Sequence, residues 1–123
     1  MSELLLETQR LGPDAALIAA RGELSIGSAP GVAAEIGELV KRGRRRIIVD
    51  LDEVVFVDST GLGFLLNGLR CVDRVDGRLV LVVPPGHVHR VFEMTRLDGV
   101  FRLAATLPEA LGELGLAEVA GEA

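Results

Sequence analysis

The chain has no tryptophan, no tyrosine, one cysteine and two histidines in 123 residues. Each shortage excludes something. With aromatics at 3%, the core must be built from Val, Leu, Ile and Ala, as in layered α/β proteins. A lone cysteine, Cys71, cannot form a disulfide framework and fits a reducing compartment. It borders an apolar stripe and reads as a small buried hydrophobe. His87 and His89 stand two apart at the start of a predicted helix, so they point in different directions. No further Cys or His completes a set, so no metal site and no cofactor are expected. Positive charge is also short, with 13 basic against 18 acidic residues and a net charge of -5. A nucleic-acid partner, which needs a basic face, is therefore not expected. No apolar run approaches the ~20 residues of a membrane helix. The N-terminus lacks a basic start followed by a long apolar run, so no secretory signal is read. A soluble, cytoplasmic protein without membrane association is expected.

What the chain does have is aliphatic bulk. It is 49% hydrophobic with a mean hydropathy of +0.39, enough for one domain with one core. That domain is expected to span residues 1–116, followed by a small acidic tail at 117–123 that frays. Two short apolar runs, residues 3–9 and 15–21, flank Gly12-Pro13-Asp14, which is turn chemistry and predicts a hairpin. Residues 22–25 read as a loop. A helix is predicted over about 29–42, capped by Ser28, with Val32, Ile36, Leu39 and Val40 on one face. A strand over 44–51 follows, with a short apolar extension at 54–57. A second helix spans about 60–75, a strand 78–83, a third helix 86–95 and a last short strand 100–103. Thr106 and Glu109 form a capping box for a closing helix that ends near residue 114. The order β-β-α-β-α-β-α-β-α predicts a mixed, mostly parallel sheet with about four helices. The run at residues 41–46, Lys-Arg-Gly-Arg-Arg-Arg, reads as a solvated helix C-terminus, favoured there by the dipole.

The segment richest in chemistry is residues 54–70, VVFVDSTGLGFLLNGLR. An apolar strand delivers Asp58-Ser59-Thr60 to the start of an amphipathic helix. Such a terminus tolerates a phosphate, because its N–H groups and dipole favour negative charge. Ser59 is the first candidate for modification and Thr60 the second. The plainer account is that these residues cap the helix while Gly61 and Gly63 ease a tight turn. Both accounts can hold for one residue. A catalytic serine is a poor fit: the G-x-S-x-G elbow would need Gly where Val57 stands, and neither histidine is placed as a base. A nucleotide-binding G-x-x-x-x-G-K-[ST] loop is absent. On the helix, Leu62, Leu65, Leu66, Leu69 and Val72 face the core. Gly63, Asn67, Arg70 and Arg74 line the opposite side, open to a partner.

D-S-T-G-L-G after an apolar strand resembles the signature of the anti-sigma factor antagonists, the stand-alone STAS domains. The likeness extends to Arg21-Gly22-Glu23-Leu24, to Val49-Asp50-Leu51, to residues 92–101 and to Pro108-Glu109-Ala110-Leu111. It implies a STAS fold, a βα superhelix with an extra N-terminal strand. It also implies a mechanism without enzymatic activity of the chain's own. The unmodified protein would bind an anti-sigma factor that is a serine kinase and so free a sigma factor. Phosphorylation at Ser59 would end that binding, and a serine phosphatase would restore it. The partner surface implied comprises Glu23, Ser25, Asp58, Thr60, Gly61, Leu62, Gly63, Asn67 and Arg70. Asp58 would orient the site, and Gly61 to Gly63 would present backbone. Ser25 departs from the Asp usual after Gly-Glu-Leu. The alternative is a constitutive STAS scaffold, or a soluble subunit of a transport or signalling complex, in which Ser59 only caps.

Overall fold

A computed structural model describes residues 4–116; the acidic tail expected at 117–123 lies outside the described residues. The hairpin at Gly12-Pro13-Asp14 is present. Strand β1 (Leu4–Arg10) runs antiparallel to β2 (Ala15–Leu24), with Leu4 opposite Gly22 and Arg10 opposite Ala16. Helices and strands then alternate: α1 (Pro30–Lys41), β3 (Arg46–Val57), α2 (Ser59–Asp73), β4 (Arg78–Val82), α3 (His87–Met94), a 3-10 turn over Leu97–Gly99, β5 (Arg102–Ala104) and α4 (Leu107–Glu113). The sheet order is β1-β2-β3-β4-β5, and every pair after the first is parallel. This is the mixed, mostly parallel architecture that the alternation predicts. No helix among the described residues is long and apolar enough to cross a membrane.

Side chains alternate between the two faces of each strand, and both faces are covered. Ala16, Ile18, Ile47, Val49, Leu79 and Leu81 pack with Val32 and Ile36 of α1, Leu62, Leu65 and Val72 of α2, and Val88 and Phe92 of α3. Their sequence neighbours Ala15, Ile48, Val80 and Val82 form a second cluster with Ala110 and Leu111 of α4, Leu114 and Leu116. The leucine stripe of α2 is graded: Leu66, Leu69 and Cys71 are only half-buried at its margins. Phe92 and Phe101 meet edge to face, with centroids 5.8 Å apart at 82°, a favoured aromatic geometry. Thr106 caps α4 by accepting from the Glu109 N–H, and Glu109 reaches back to the Ala105 N–H.

Several local expectations are corrected. Residues 22–24 are strand, not loop, because β2 continues beside β3 as far as Leu24. The register shifts twice on the way, between Ala19 and Arg21 and between Gly22 and Glu23. Gly22 sits at φ +114, a conformation that suits Gly alone, and such irregularities hide a strand's period. Residues 54–57 belong to one unbroken β3. Ser28 does not cap α1; Ala29 holds that position without a side-chain bond. The basic run is partly structural. The Arg46 guanidinium bonds Asp14 at 2.7 Å and the Leu114 carbonyl at 2.8 Å, and Arg44 donates to the Gly12 carbonyl. These contacts tie the hairpin turn to the start of β3 and the end of α4. Hydrogen bonding to Arg46 holds the Asp14 carboxyl below its ordinary range.

Asp50 shows the opposite effect. It is half-buried where the β3–β4 ladder ends, and burial pushes its carboxyl up, with Asp52 and Glu53 adding to the rise. The Asp52 N–H, 2.9 Å from Asp50 Oδ1, opposes the shift without reversing it. A carboxyl with a raised native pKa loses stability as pH climbs from the unfolded value of about 3.9 through the native one, because the unfolded chain releases the proton first. An asparagine at this position would keep the acceptor and carry no charge. Asp50→Asn should therefore raise the unfolding temperature at pH 7, with the gain shrinking on acidification and gone below about pH 3.9. Thermal unfolding of both proteins across pH 3 to 8 checks this; a variant no more stable at pH 7 would refute the burial effect.

Candidate functional site

The site lies where β2 and β3 leave the sheet together. β3 ends at Val57, and Asp58 takes an extended conformation (φ -111, ψ 177) as the N-cap of α2. Its carboxylate is shared. Oδ1 accepts from the Gly61 N–H at 2.7 Å, the usual N-cap bond, while Oδ2 accepts from the Ile26 N–H at 3.1 Å. The Asp58 N–H donates to the Leu24 carbonyl at 3.2 Å, closing the β2–β3 ladder. One aspartate therefore joins the end of β2, the loop after it and the start of α2.

The loop itself is a compact turn. Ser25 accepts at its carbonyl from the N–H groups of Ser28 and Ala29, at 3.0 and 2.8 Å. The Ser28 hydroxyl accepts from the Ser25 N–H and donates to the Glu23 carbonyl. So Ser28, expected at a helix cap, stitches the loop instead. Ser25 is 3% exposed and faces inward.

The structure sorts the predicted site residues into three groups. Ser59 is exposed as the first residue of α2, and Thr60 beside it is half-buried. Ser59 makes no side-chain hydrogen bond among the described residues, since Asp58 supplies the cap. Gly63, Asn67 and Arg70 continue from Ser59 along the outer stripe of α2, with Arg70 donating to the Asn67 side chain at 3.3 Å. At a rise of 1.5 Å per residue, Arg70 stands about 16 Å from Ser59 along the axis. Ser25, Gly61 and Leu62 form the third group and are buried. Gly61 and Leu62 do not offer backbone to a partner as expected. Gly61 is pressed against β2, where a Cβ would lie 2.1 Å from the Leu24 carbonyl oxygen, and Leu62 belongs to the core. The N–H groups expected to be available to a phosphate are also partly taken: Gly61's by the Asp58 side chain and Leu62's by the Asp58 carbonyl. Glu23 is half-buried beside Phe56 across the ladder.

Two residues of the site escaped the sequence reading. Ile26 is 73% exposed and Phe56 43% exposed, one hydrogen-bonded to Asp58 and the other two positions before it. The available signal was an isoleucine set among Ser and Gly in the loop, with no helical or strand period to bury it.

A strand-turn-helix corner on a five-stranded sheet thus sets an exposed serine beside a capping aspartate in a small α/β domain. A family model, the STAS domain, matches residues 8–110, and the chain belongs to that family. A Thermotoga neapolitana protein named as an anti-sigma factor antagonist homologue is 36% identical over 77 residues, 63% of this chain and 68% of that one. An anti-sigma factor antagonist from Mycobacterium paratuberculosis superposes with a TM-score of 0.81 at 24% identity, covering 92% of this chain and 95% of that chain. The antagonist SpoIIAA in its unphosphorylated form superposes with a TM-score of 0.69 at 25% identity, covering 90% and 98%. SpoIIAA has also been solved in a phosphorylated form.

The two glycines of the corner should respond oppositely to substitution. Gly61→Ala drives a Cβ into backbone that cannot swing aside, and should destabilise by about 1–3 kcal/mol, as overpacking does. Gly63 has nothing within 4 Å of its would-be Cβ. Gly63→Ala should be neutral or stabilise by up to about 1 kcal/mol through helix propensity. Urea denaturation of the two variants checks the contrast, and equal effects would sink it.

Proposed function

We propose that this protein is an anti-sigma factor antagonist of the partner-switching kind, controlled at Ser59. In its unmodified form it binds an anti-sigma factor serine kinase through the corner around Ser59 and the outer stripe of α2, releasing a sigma factor. The kinase holds ATP. The Ser59 oxygen attacks the γ-phosphorus, the bond to the β-phosphate oxygen breaks, ADP leaves, and the hydroxyl proton passes to a base on the kinase. Water and a serine phosphatase reverse the modification. The chain is the substrate in both steps and acts in the cytoplasm.

One observation carries this reading. The helix cap is Asp58, so the Ser59 hydroxyl has no structural duty among the described residues and stands exposed. A phosphate there adds about -1.5 to -2 charges at pH 7 beside a carboxylate already committed to two N–H groups. The fold keeps its cap, and the new charge falls on the docking surface, where repulsion and desolvation oppose binding. Thr60, half-buried, is the less accessible acceptor. The Thermotoga relative bears the antagonist name, and SpoIIAA is known in both states of phosphorylation, which is consistent with such control.

Incubation with the cognate anti-sigma kinase and ATP should add one phosphate, mapped to Ser59 by mass spectrometry. Ser59→Asp should lower affinity for that kinase at least tenfold while changing stability by no more than about 0.5 kcal/mol, the range of exposed substitutions that remove no cap. Absence of phosphate at Ser59 and Thr60, with unchanged affinity of the Asp variant, would overturn the proposal.

A further inference from the structure

We infer that Ile26 is a specificity-determining contact of the switch surface, that Asp58 is its positioning residue, and that the partner meets it with an apolar recess. This rests on the docking surface proposed above and names its chemistry. Single exposed hydrophobic residues are common and mean little alone. Ile26 differs in how it is held. Within the turn that follows β2, Ser25 and Ala29 are buried and Gly27 has no side chain, so Ile26 is the one large group the turn displays. A Gly- and Ser-rich turn would ordinarily leave such a group loosely placed. Here the Ile26 N–H is fixed on Asp58 Oδ2, and the Ser25–Ser28 hydrogen bonds lock the residues on either side.

Ile26 is tied to the proposed modification site through Asp58. Asp58, which fixes Ile26, immediately precedes Ser59, and the half-exposed Phe56 lies two positions earlier on β3. Glu23 stands opposite Phe56 in the ladder and Asp58 holds the Ile26 N–H, so an acidic residue neighbours each apolar group. An apolar centre with a charged rim is the common anatomy of a specific interface. Its counterpart is an apolar recess edged by basic groups, and we assign that recess to the anti-sigma kinase. Asp58 is suited to positioning because both oxygens are used. An asparagine offers one acceptor, and its amide would face an N–H donor. Asp58→Asn must give up either the helix cap or the hold on Ile26.

The test measures binding to the kinase by calorimetry and phosphorylation kinetics on the full chain. Ile26→Ser should weaken binding about tenfold or more, make the heat-capacity change of binding less negative, and raise KM for phosphorylation with little change in kcat. Ile26→Leu should restore affinity to within about threefold. Asp58→Ala, which removes both acceptors, should weaken binding, and adding Ile26→Ser to it should cost much less than in the wild type, since the contact is already misplaced. Unchanged affinity and KM in Ile26→Ser, with wild type bound and phosphorylated normally, would overturn this inference and leave the switch intact. Full additivity of the two substitutions would remove Asp58 as the positioning residue. No binding or phosphorylation of the wild type would instead defeat the switch itself. Self-association of the wild type, lost in Ile26→Ser, would assign the surface to a second copy of this chain and overturn the inference.

Discussion

The corner of the molecule depends on a single carboxylate with two oxygens and two donors. Asp58 caps α2 through Gly61 and anchors the turn after β2 through Ile26, while its own N–H completes the ladder to Leu24. Each bond solves a separate problem. A helix start has donors without partners, a turn of small residues has no fixed shape, and two parallel strands ending together need a defined last rung. Gly61 is the steric condition for all three. Only without a Cβ can the helix start sit against the Leu24 carbonyl closely enough for Asp58 to reach both sides.

The far end of the sheet is held by the opposite charge. Arg46 opens β3 and uses its fork on Asp14 and on the Leu114 carbonyl, so the hairpin turn, the central strand and the last helix converge on one guanidinium. The pair with Asp14 is partly exposed, and such pairs contribute little through charge alone. Its value lies in geometry: a bidentate fork fixes orientation as well as distance. Strand β3 is thus pinned by an arginine where it enters the sheet and by an aspartate where it leaves. Asp50, between them, is half-buried with Asp52 and Glu53 nearby, so its ionised form works against the fold.

Periodicity made the frame legible. The leucine spacing of α2, the Gly-Pro-Asp turn and the alternation of apolar runs with helical ones lead directly to the observed element order. Most places where sequence reasoning failed share a cause: a residue's role is set by a neighbour distant along the chain, Ser28 with its local partners being the exception. Gly22 continues a strand because β3 lies alongside with a shifted register, and no local pattern reports that shift. Ser28 has good N-cap chemistry but spends it on Glu23 and Ser25. Gly61 is expected to present backbone, yet its place against the Leu24 carbonyl of β2 puts it inside. Arg44 and Arg46 look like solvated charge until the turn at Gly12 and the end of α4 arrive beside them. The exposed Ile26 was invisible because burial, not composition, makes an isoleucine ordinary.

On the proposed reading, the same distribution of roles lets a small domain carry a switch at Ser59 without giving up its helix cap. Had Ser59 been the cap, modifying it would have removed a bond worth roughly 1 kcal/mol from the helix start, and signal and stability would be coupled. With the cap on Asp58, the hydroxyl one residue later adds nothing to the fold and is open to change. A phosphate there meets a terminus whose Gly61 and Leu62 donors are already engaged, so those two groups do not take up its charge, and the charge falls on the surface where the proposed partner would dock. If Ser59 is the regulated residue as proposed, the aspartate directly before it takes over the structural duty that would otherwise compete with regulation.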